Sequence, residues 1–301
     1  MKDRQTISLM AHAKINLTLD VLHRRDDGYH EVKMIMQSIG LADTVEISEQ
    51  ASDITVSTDL PALACDQSNL AYRAAVLLRE RFAIHRGARI HLIKKIPLAA
   101  GLAGGSSDAA AVLRGLNRLW DLKLTMQALQ TLGAELGSDV PFCLQGGTML
   151  AVGRGELLSG LPELPPCWLV LAKPPVDVST AWVYGNYRNN ESIQHPDTEK
   201  VIRCLQEQDL SGVAAGLGNV LETVTIPAYP EIAAIKRCLQ ENGALGVLMS
   251  GSGPTVFGIM PDQARAKRAA EQLEQQVKAQ IIITNTVTRV VGEHGTTFVA
   301  D

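Results

Sequence analysis

One stretch limits what this chain can fold into: Pro97 to Ala111, PLAAGLAGGSSDAAA. It has no side chain larger than leucine. Before it, Ala88 to Ile96 (ARIHLIKKI) alternates as a strand does. After it, Ala109 to Trp120 (AAAVLRGLNRLW) carries apolar residues at helical spacing. The unit is strand, glycine-rich loop, helix. Gly101, Gly104 and Gly105 let the backbone take positive φ and approach a ligand closely. Ser106, Ser107 and Asp108 suit a helix cap or first turn. Such a loop points backbone N–H groups and the positive end of a helix dipole at one spot, which suits a phosphate. A plain strand-to-helix turn needs only one or two glycines or serines, and this one has five. No Lys follows the glycines, so it is not a Walker A loop, and the G-x-G opening of a dinucleotide fingerprint is missing.

The rest of the chain sets the bounds. Its 301 residues suffice for two domains. A net charge of −4 gives no nucleic-acid signature. No apolar run is long enough to span a membrane, and Met1 to Met10 is too polar for a secretory signal. The five scattered cysteines read as reduced packing residues of a cytoplasmic protein, not as disulfides or a zinc site. Strands and helices mix without strict alternation, which points to α+β. Leu161 to Pro166 (LPELPP) reads as a linker, so the expected domains are 1–160 and 161–301.

Several local patterns are open to two readings. Ser8 to Leu22 alternates as a strand, in which Lys14 would ordinarily point to solvent. Arg24 to His30 (RRDDGYH) reads as a hairpin tip. Ser68 to Phe82 is an amphipathic helix with Ser68 as its cap. Lys94 and Lys95 either face water or favour a nearby triphosphate. In Gly137 to Leu144 (GSDVPFCL), Asp139 is either a turn residue or a proton-accepting carboxylate. Ser179 and Thr180 can cap a helix bearing Tyr184. Asn189 to Glu199 reads as an exposed, mobile loop. Ala244 to Met260 is a hairpin around Gly251, Ser252 and Gly253, and Gln280 to Val291 contains a closing strand.

The loop, together with AKINL at Ala13 to Leu17 and GSDVPF at Gly137 to Phe142, resembles the motifs of the GHMP kinases. The DGYH wording resembles the branch acting on 4-diphosphocytidyl-2-C-methyl-D-erythritol in non-mevalonate isoprenoid synthesis. The resemblance covers nearly the whole chain. It implies the GHMP kinase fold, with a ribosomal-protein-S5-like N-terminal domain and a ferredoxin-like C-terminal domain. It implies an ATP-dependent kinase that uses Mg²⁺ and phosphorylates the 2-hydroxyl of that cytidine diphosphate-linked methylerythritol. By resemblance, Pro97, Leu98, Ala99, Ala100, Gly101, Leu102, Ala103, Gly104, Gly105, Ser106 and Ser107 hold the ATP phosphates, and Asn69 and Leu70 border the adenine. Asp139 is the base and Lys14 supports it. Asn16 bonds a substrate hydroxyl or phosphate. Tyr29 stacks on cytosine, His30 reads its edge, and Thr180 and Tyr184 complete the cytidine pocket. Asp108 is the rival carboxylate, expected instead to cap the helix. Ser107 is the suggested metal ligand. His12 departs from the family's wording, where small residues or Pro are frequent. Monomer and homodimer both stay open. Two other functions stay in view: another GHMP kinase, of homoserine or mevalonate type, and a non-catalytic nucleotide-binding module.

Overall fold

The computed structural model describes residues 6–287. The last residues of the expected closing strand, 288–291, lie outside them. In chain order the elements are β1 (Thr6–Arg24), β2 (His30–Gln50), β3 (Ile54–Thr58), α1 (Leu70–Arg81), β4 (Gly87–Ile93), α2 (Gly104–Leu119), α3 (Met126–Leu136) and α4 (Val140–Gln145). Then come β5 (Thr148–Gly153), β6 (Leu157–Gly160), β7 (Trp168–Lys173), α5 (Thr180–Asn186), α6 (Thr198–Gln206), α7 (Leu210–Ala215), β8 (Gly218–Asn219) and α8 (Glu222–Ala228). The described residues end with α9 (Glu231–Glu241), β9 (Gly246–Met249), β10 (Val256–Met260), α10 (Gln263–Gln276) and β11 (Gln280–Asn285).

Two compact units form, each assembled from separate stretches of chain. The first takes the chain up to Ala13, Leu41–Pro97 and Ala103–Gln145. In it, β4 pairs antiparallel with β2 over Thr44–Gln50 and parallel with β3. Helices α1 to α4 cover one core, which contains Val45, Ile47, Leu78, Ile90, Leu92, Val112, Leu113, Leu116 and Val140. The alanines after the glycine loop now have a reason. Ala109, Ala110 and Ala111 are all buried on α2. At Gly115 an added Cβ would lie 2.4 Å from Ile47 and 2.8 Å from Leu9. At Gly115, helix α2 sits so close to its neighbours that only glycine fits.

The second unit takes Lys14–Gly40, Leu98–Leu102 and the chain from Gly146 onward. Here β2 pairs with β5 over Val32–Gln37, β5 pairs with β6, and β1 lies parallel to β8 at Thr18 and Leu19. A separate antiparallel sheet has the order β11-β7-β10-β9. Numbered within that sheet, this is 4-1-3-2, with helices α9 and α10 entering before its second and fourth strands. That order is the expected ferredoxin-like arrangement.

Candidate active site

In the second unit, Lys14 is only 4 % exposed. A strand lysine pointing to water would not be. Its ammonium donates to Asn16 Oδ1 at 2.7 Å, and its backbone N–H donates to the Leu102 carbonyl at 3.1 Å. Asn16 is fully buried and donates onward to Met34 Sδ at 3.1 Å. Lys14 and Asn16 lie two apart on β1, so their side chains share a face. The segment Leu98–Leu102 therefore sits directly on the strand that carries the candidate charge.

The same segment packs on the turn between β9 and β10. Gly101 has φ 72°, and a Cβ there would stand 2.3 Å from the Ser250 carbonyl oxygen. Ser250 Oγ donates to the Gly101 carbonyl at 3.1 Å. Gly251 is less tightly confined: its Cβ would meet Gly101 O at 3.2 Å, Lys14 Nζ at 3.5 Å and Asn16 Oδ1 at 3.6 Å. Asn219 holds this turn by donating to the carbonyls of Met249 and Gly251, both at 2.8 Å, and Thr225 Oγ1 donates to Ser252 O at 3.2 Å. The β9–β10 turn thus packs directly on Leu98–Leu102. Asn219 and Thr225 had no sequence signal beyond being polar residues in a run of mixed composition.

In the first unit, α2 begins at Gly104 behind Ala103, which takes φ 60°. No side chain caps this end, and its first turn holds no acid. The expected assignments shift here. Positive φ falls on Ala99, Gly101 and Ala103, whereas Gly104 and Gly105 are already helical. Asp108 does not cap. It is 2 % exposed and accepts from Lys94 Nζ at 2.5 Å. Lys94 also bonds the buried Asp43, whose Oδ1 takes the backbone N–H groups of Lys95 and Ile96 at 2.5 and 2.8 Å. Lys94 therefore does not face water. Burial drives the Asp108 carboxyl up to about 7, with Lys94 pulling against it and Asp43 adding to it.

Ser107 is 2 % exposed, and its hydroxyl donates to the His12 carbonyl at 2.6 Å. Ser106 is half-buried. The turn before α4 borders that first helical turn, since a Cβ on Gly137 would lie 4.0 Å from Ser106 Oγ. Half-buried Asp139 follows two residues later. The cap of α1 is Asn69, not Ser68. Asn69 Oδ1 accepts from Ala71 N at 2.9 Å and its Nδ2 donates to Ala64 O at 2.7 Å, while Ser68 donates to Asp66. Leu70 opens α1, and a Cβ on Gly105 would touch its Cδ1 at 3.6 Å.

The third grouping, in the second unit, surrounds the hairpin tip. Tyr29 is 55 % exposed. His30 and Tyr184 place their ring centroids 5.4 Å apart, tilted at 38°. Partial burial, then the charge of Arg24, holds the His30 imidazole below its ordinary value, so it is neutral at physiological pH. Ser179 caps α5 by accepting from Trp182 N, and exposed Thr180 shares a 2.9 Å hydroxyl contact with Ser252. The expected mobile loop is tied to β1 and β2: His195 Nδ1 lies 2.6 Å from Asp20 Oδ1 and Lys33 Nζ donates to Glu199 Oε1 at 2.6 Å, and its last two residues already belong to α6.

Family profiles match along the same chain. The GHMP kinases N terminal domain matches residues 69–147, and the GHMP kinases C terminal domain matches residues 201–279. A 4-diphosphocytidyl-2-C-methyl-D-erythritol kinase of Bacillus licheniformis is 55% identical over 259 residues, covering 86% of this chain and 89% of the relative. The chain belongs to the GHMP kinase family. A relative of the same description from Brevibacillus brevis is 49% identical over 278 residues, covering 92% of this chain and 95% of its own. Among solved structures, a 4-(cytidine 5'-diphospho)-2C-methyl-D-erythritol kinase matches with TM-score 0.78 at 36% identity, covering 93% of this chain and 99% of that one. A homoserine kinase from Cytophaga hutchinsonii matches with TM-score 0.74 at 19% identity, covering 95% and 96%, and so shares the GHMP fold. As a GHMP kinase, the chain is an ATP-dependent small-molecule kinase. Among the described residues, no helix is long and apolar enough to cross a membrane.

Proposed function

We propose that this GHMP kinase transfers the γ-phosphoryl group of ATP to the 2-hydroxyl of 4-diphosphocytidyl-2-C-methyl-D-erythritol. The observation that carries this reading is the 49–55% identity to kinases of that description over most of the chain. The hairpin tip agrees with it. An exposed Tyr29 beside a neutral His30 and a half-buried Tyr184 offers one stacking face and one edge reader, which a pyrimidine base needs.

The residues divide the work. The uncapped N-terminus of α2, at Gly104 to Ser106, takes phosphate oxygens through backbone N–H groups and the helix dipole. Asp139 accepts the proton of the attacking hydroxyl. Lys14, oriented by Asn16, supplies positive charge to the transferring group. Tyr29, His30, Thr180 and Tyr184 select the cytidine. Asn69 acts through its cap, fixing Leu70 at the edge of the adenine position.

Magnesium fits as an ion that arrives on the nucleotide. Among the described residues, no three His, Cys, Asp or Glu side chains gather to hold a metal, and Mg²⁺ bound to phosphates needs only one or two protein oxygens. When bound, it neutralises charge on the β and γ oxygens. The Ser107 hydroxyl is already given to His12, so Ser106 offers the more accessible oxygen of the pair.

ADP release with ATP, Mg²⁺ and the cytidyl substrate, beside homoserine and mevalonate controls, tests the reading. Release with the cytidyl substrate alone is expected. Release with a control instead would leave the phosphate loop standing and remove the cytidine pocket. ATP binding without turnover on any acceptor would return the chain to a binding module. Asp139→Asn is expected to cut kcat by about 10²–10⁴ with little change in ATP affinity. Near-normal turnover in that variant would take the base role from Asp139.

A further inference from the structure

The turn between β5 and β6, Gly153-Arg154-Gly155-Glu156, has no role in the site described so far. It is bound to the hairpin tip that carries Tyr29 and His30. Val32 of β2 pairs with Gly153 of β5. One oxygen of Glu31 accepts from Gly153 N at 3.0 Å and the other from Arg25 Nη1 at 2.6 Å. Arg25 also bonds Asp27, which accepts the Tyr29 backbone N–H at 3.1 Å. The tip is therefore fastened to the β5–β6 turn through a charged relay.

Above this relay, the Arg154 guanidinium carbon lies 5.0 Å from the centroid of the Tyr29 ring. That is within cation–π range. Arg154 is itself aimed: its backbone N–H donates to Glu156 Oε2 at 2.7 Å, and its Nε lies 3.5 Å from Glu156 Oε1. Tyr29 is nonetheless 55 % exposed. One face of the ring is covered by a planar cation, and much of the ring stays open. A base that stacks needs one free face on a ring that does not turn away, and ordering a loose side chain during binding costs affinity.

We propose that Arg154 is a positioning residue for cytidine recognition: its guanidinium backs one face of Tyr29 and presents the opposite face to the base, in the order guanidinium, phenol, base. The assignment rests on the reading of Tyr29 as the base platform. Arginine suits the position because its flat fork stacks on a ring as an ammonium does not.

CDP is the probe, with its Kd measured by calorimetry on the full chain, followed by KM for the cytidyl substrate and for ATP. Arg154→Met keeps the aliphatic stem and removes the charge. It is expected to weaken CDP roughly two- to fivefold, the span of an exposed cation–π contact converted at tenfold per 1.4 kcal/mol. KM for the cytidyl substrate should rise alongside it, while KM for ATP holds. Arg154→Lys should recover part of the loss. In a Tyr29→Ala background, Arg154→Met should change nothing further. An equal loss in that background means that the guanidinium acts on the ligand directly, and no loss in the parent means that it does not act; either result overturns the proposal. If Tyr29→Ala binds CDP as tightly as the parent, the platform reading itself fails. If Tyr29→Ala weakens CDP and Arg154→Met does not, only the role of Arg154 is lost. Thermal unfolding of each variant separates misfolding from these outcomes.

Discussion

Asp43, Lys94 and Asp108 bury two carboxylates around one ammonium, each side chain no more than 3% exposed. Removing one partner of such a group leaves a buried charge uncompensated, which is more costly than the group itself is stabilising. The strain shows in Asp108, whose Oδ1 has no hydrogen-bond partner and whose carboxyl is raised to about 7, chiefly by burial. An unfolded Asp titrates near 3.9. Between about pH 4 and 7 the folded state therefore holds the extra proton, and stability from this group falls as pH rises through that window. Asp108→Asn is neutral in both states and lacks this slope. Calorimetry at pH 5 and pH 8 should show a smaller fall in Tm for Asp108→Asn than for the parent; parallel curves would mean that Asp108 is ionised throughout. This network was hidden from the sequence. Asp108 in a first turn matches a cap, and nothing local says that Lys94, fourteen residues earlier, points inward to meet it.

At the scale of elements, the strand–loop–helix unit behaves as its composition demands, but the conformational work is shared out differently. Gly101 alone among the three loop glycines takes positive φ, and it does so against the Ser250 carbonyl. Gly101→Ala puts a Cβ 2.3 Å from a backbone oxygen in a left-handed conformation. It should cost roughly 3 kcal/mol or more, read from urea unfolding. Ala103→Gly relaxes a left-handed residue at the start of α2 and should stay within about 1 kcal/mol of the parent. Equal tolerance of both changes would show that the loop can move off the β9–β10 turn. Most strands and helices were legible because their apolar periods are local. Their caps were less so. The DQSN run offers three plausible caps, and Asn69 takes the role because its Nδ2 also reaches the Ala64 carbonyl. Lys14 was misread by periodicity alone, because strand alternation assigns a face without saying whether that face meets water. Both faces of β1 are buried here, from Ala13 to Val21.

For the molecule as a whole, two anionic ligands bind a chain of net charge −4, so local fields must do the attracting. The proposed sources of those fields are the bare start of α2 and the buried Lys14. Ligands that bind the native chain stabilise it by mass action, by about 2.7 kcal/mol at a hundredfold excess over Kd. A non-hydrolysable ATP analogue and CDP, each at that excess, should both raise Tm, and together should raise it further than either alone. A CDP shift that ATP analogue abolishes would mean that the two nucleotides compete for one site. The motifs themselves, AKINL, DGYH, the glycine loop and GSDVPF, were enough to indicate the family by resemblance, and the glycine loop pointed to phosphate by its residues alone, because close backbone approach to an anion demands small residues in consecutive positions. Tertiary structure alone decided which polar groups do what. It turned Asp108 and Lys94 inward, gave Asn69 to a helix cap, set Asn219 under a turn thirty residues away, and laid Arg154 on Tyr29. Each of these depends on a contact between residues far apart in the chain or on competition among neighbours for one hydrogen bond, and burial, not local pattern, settles both.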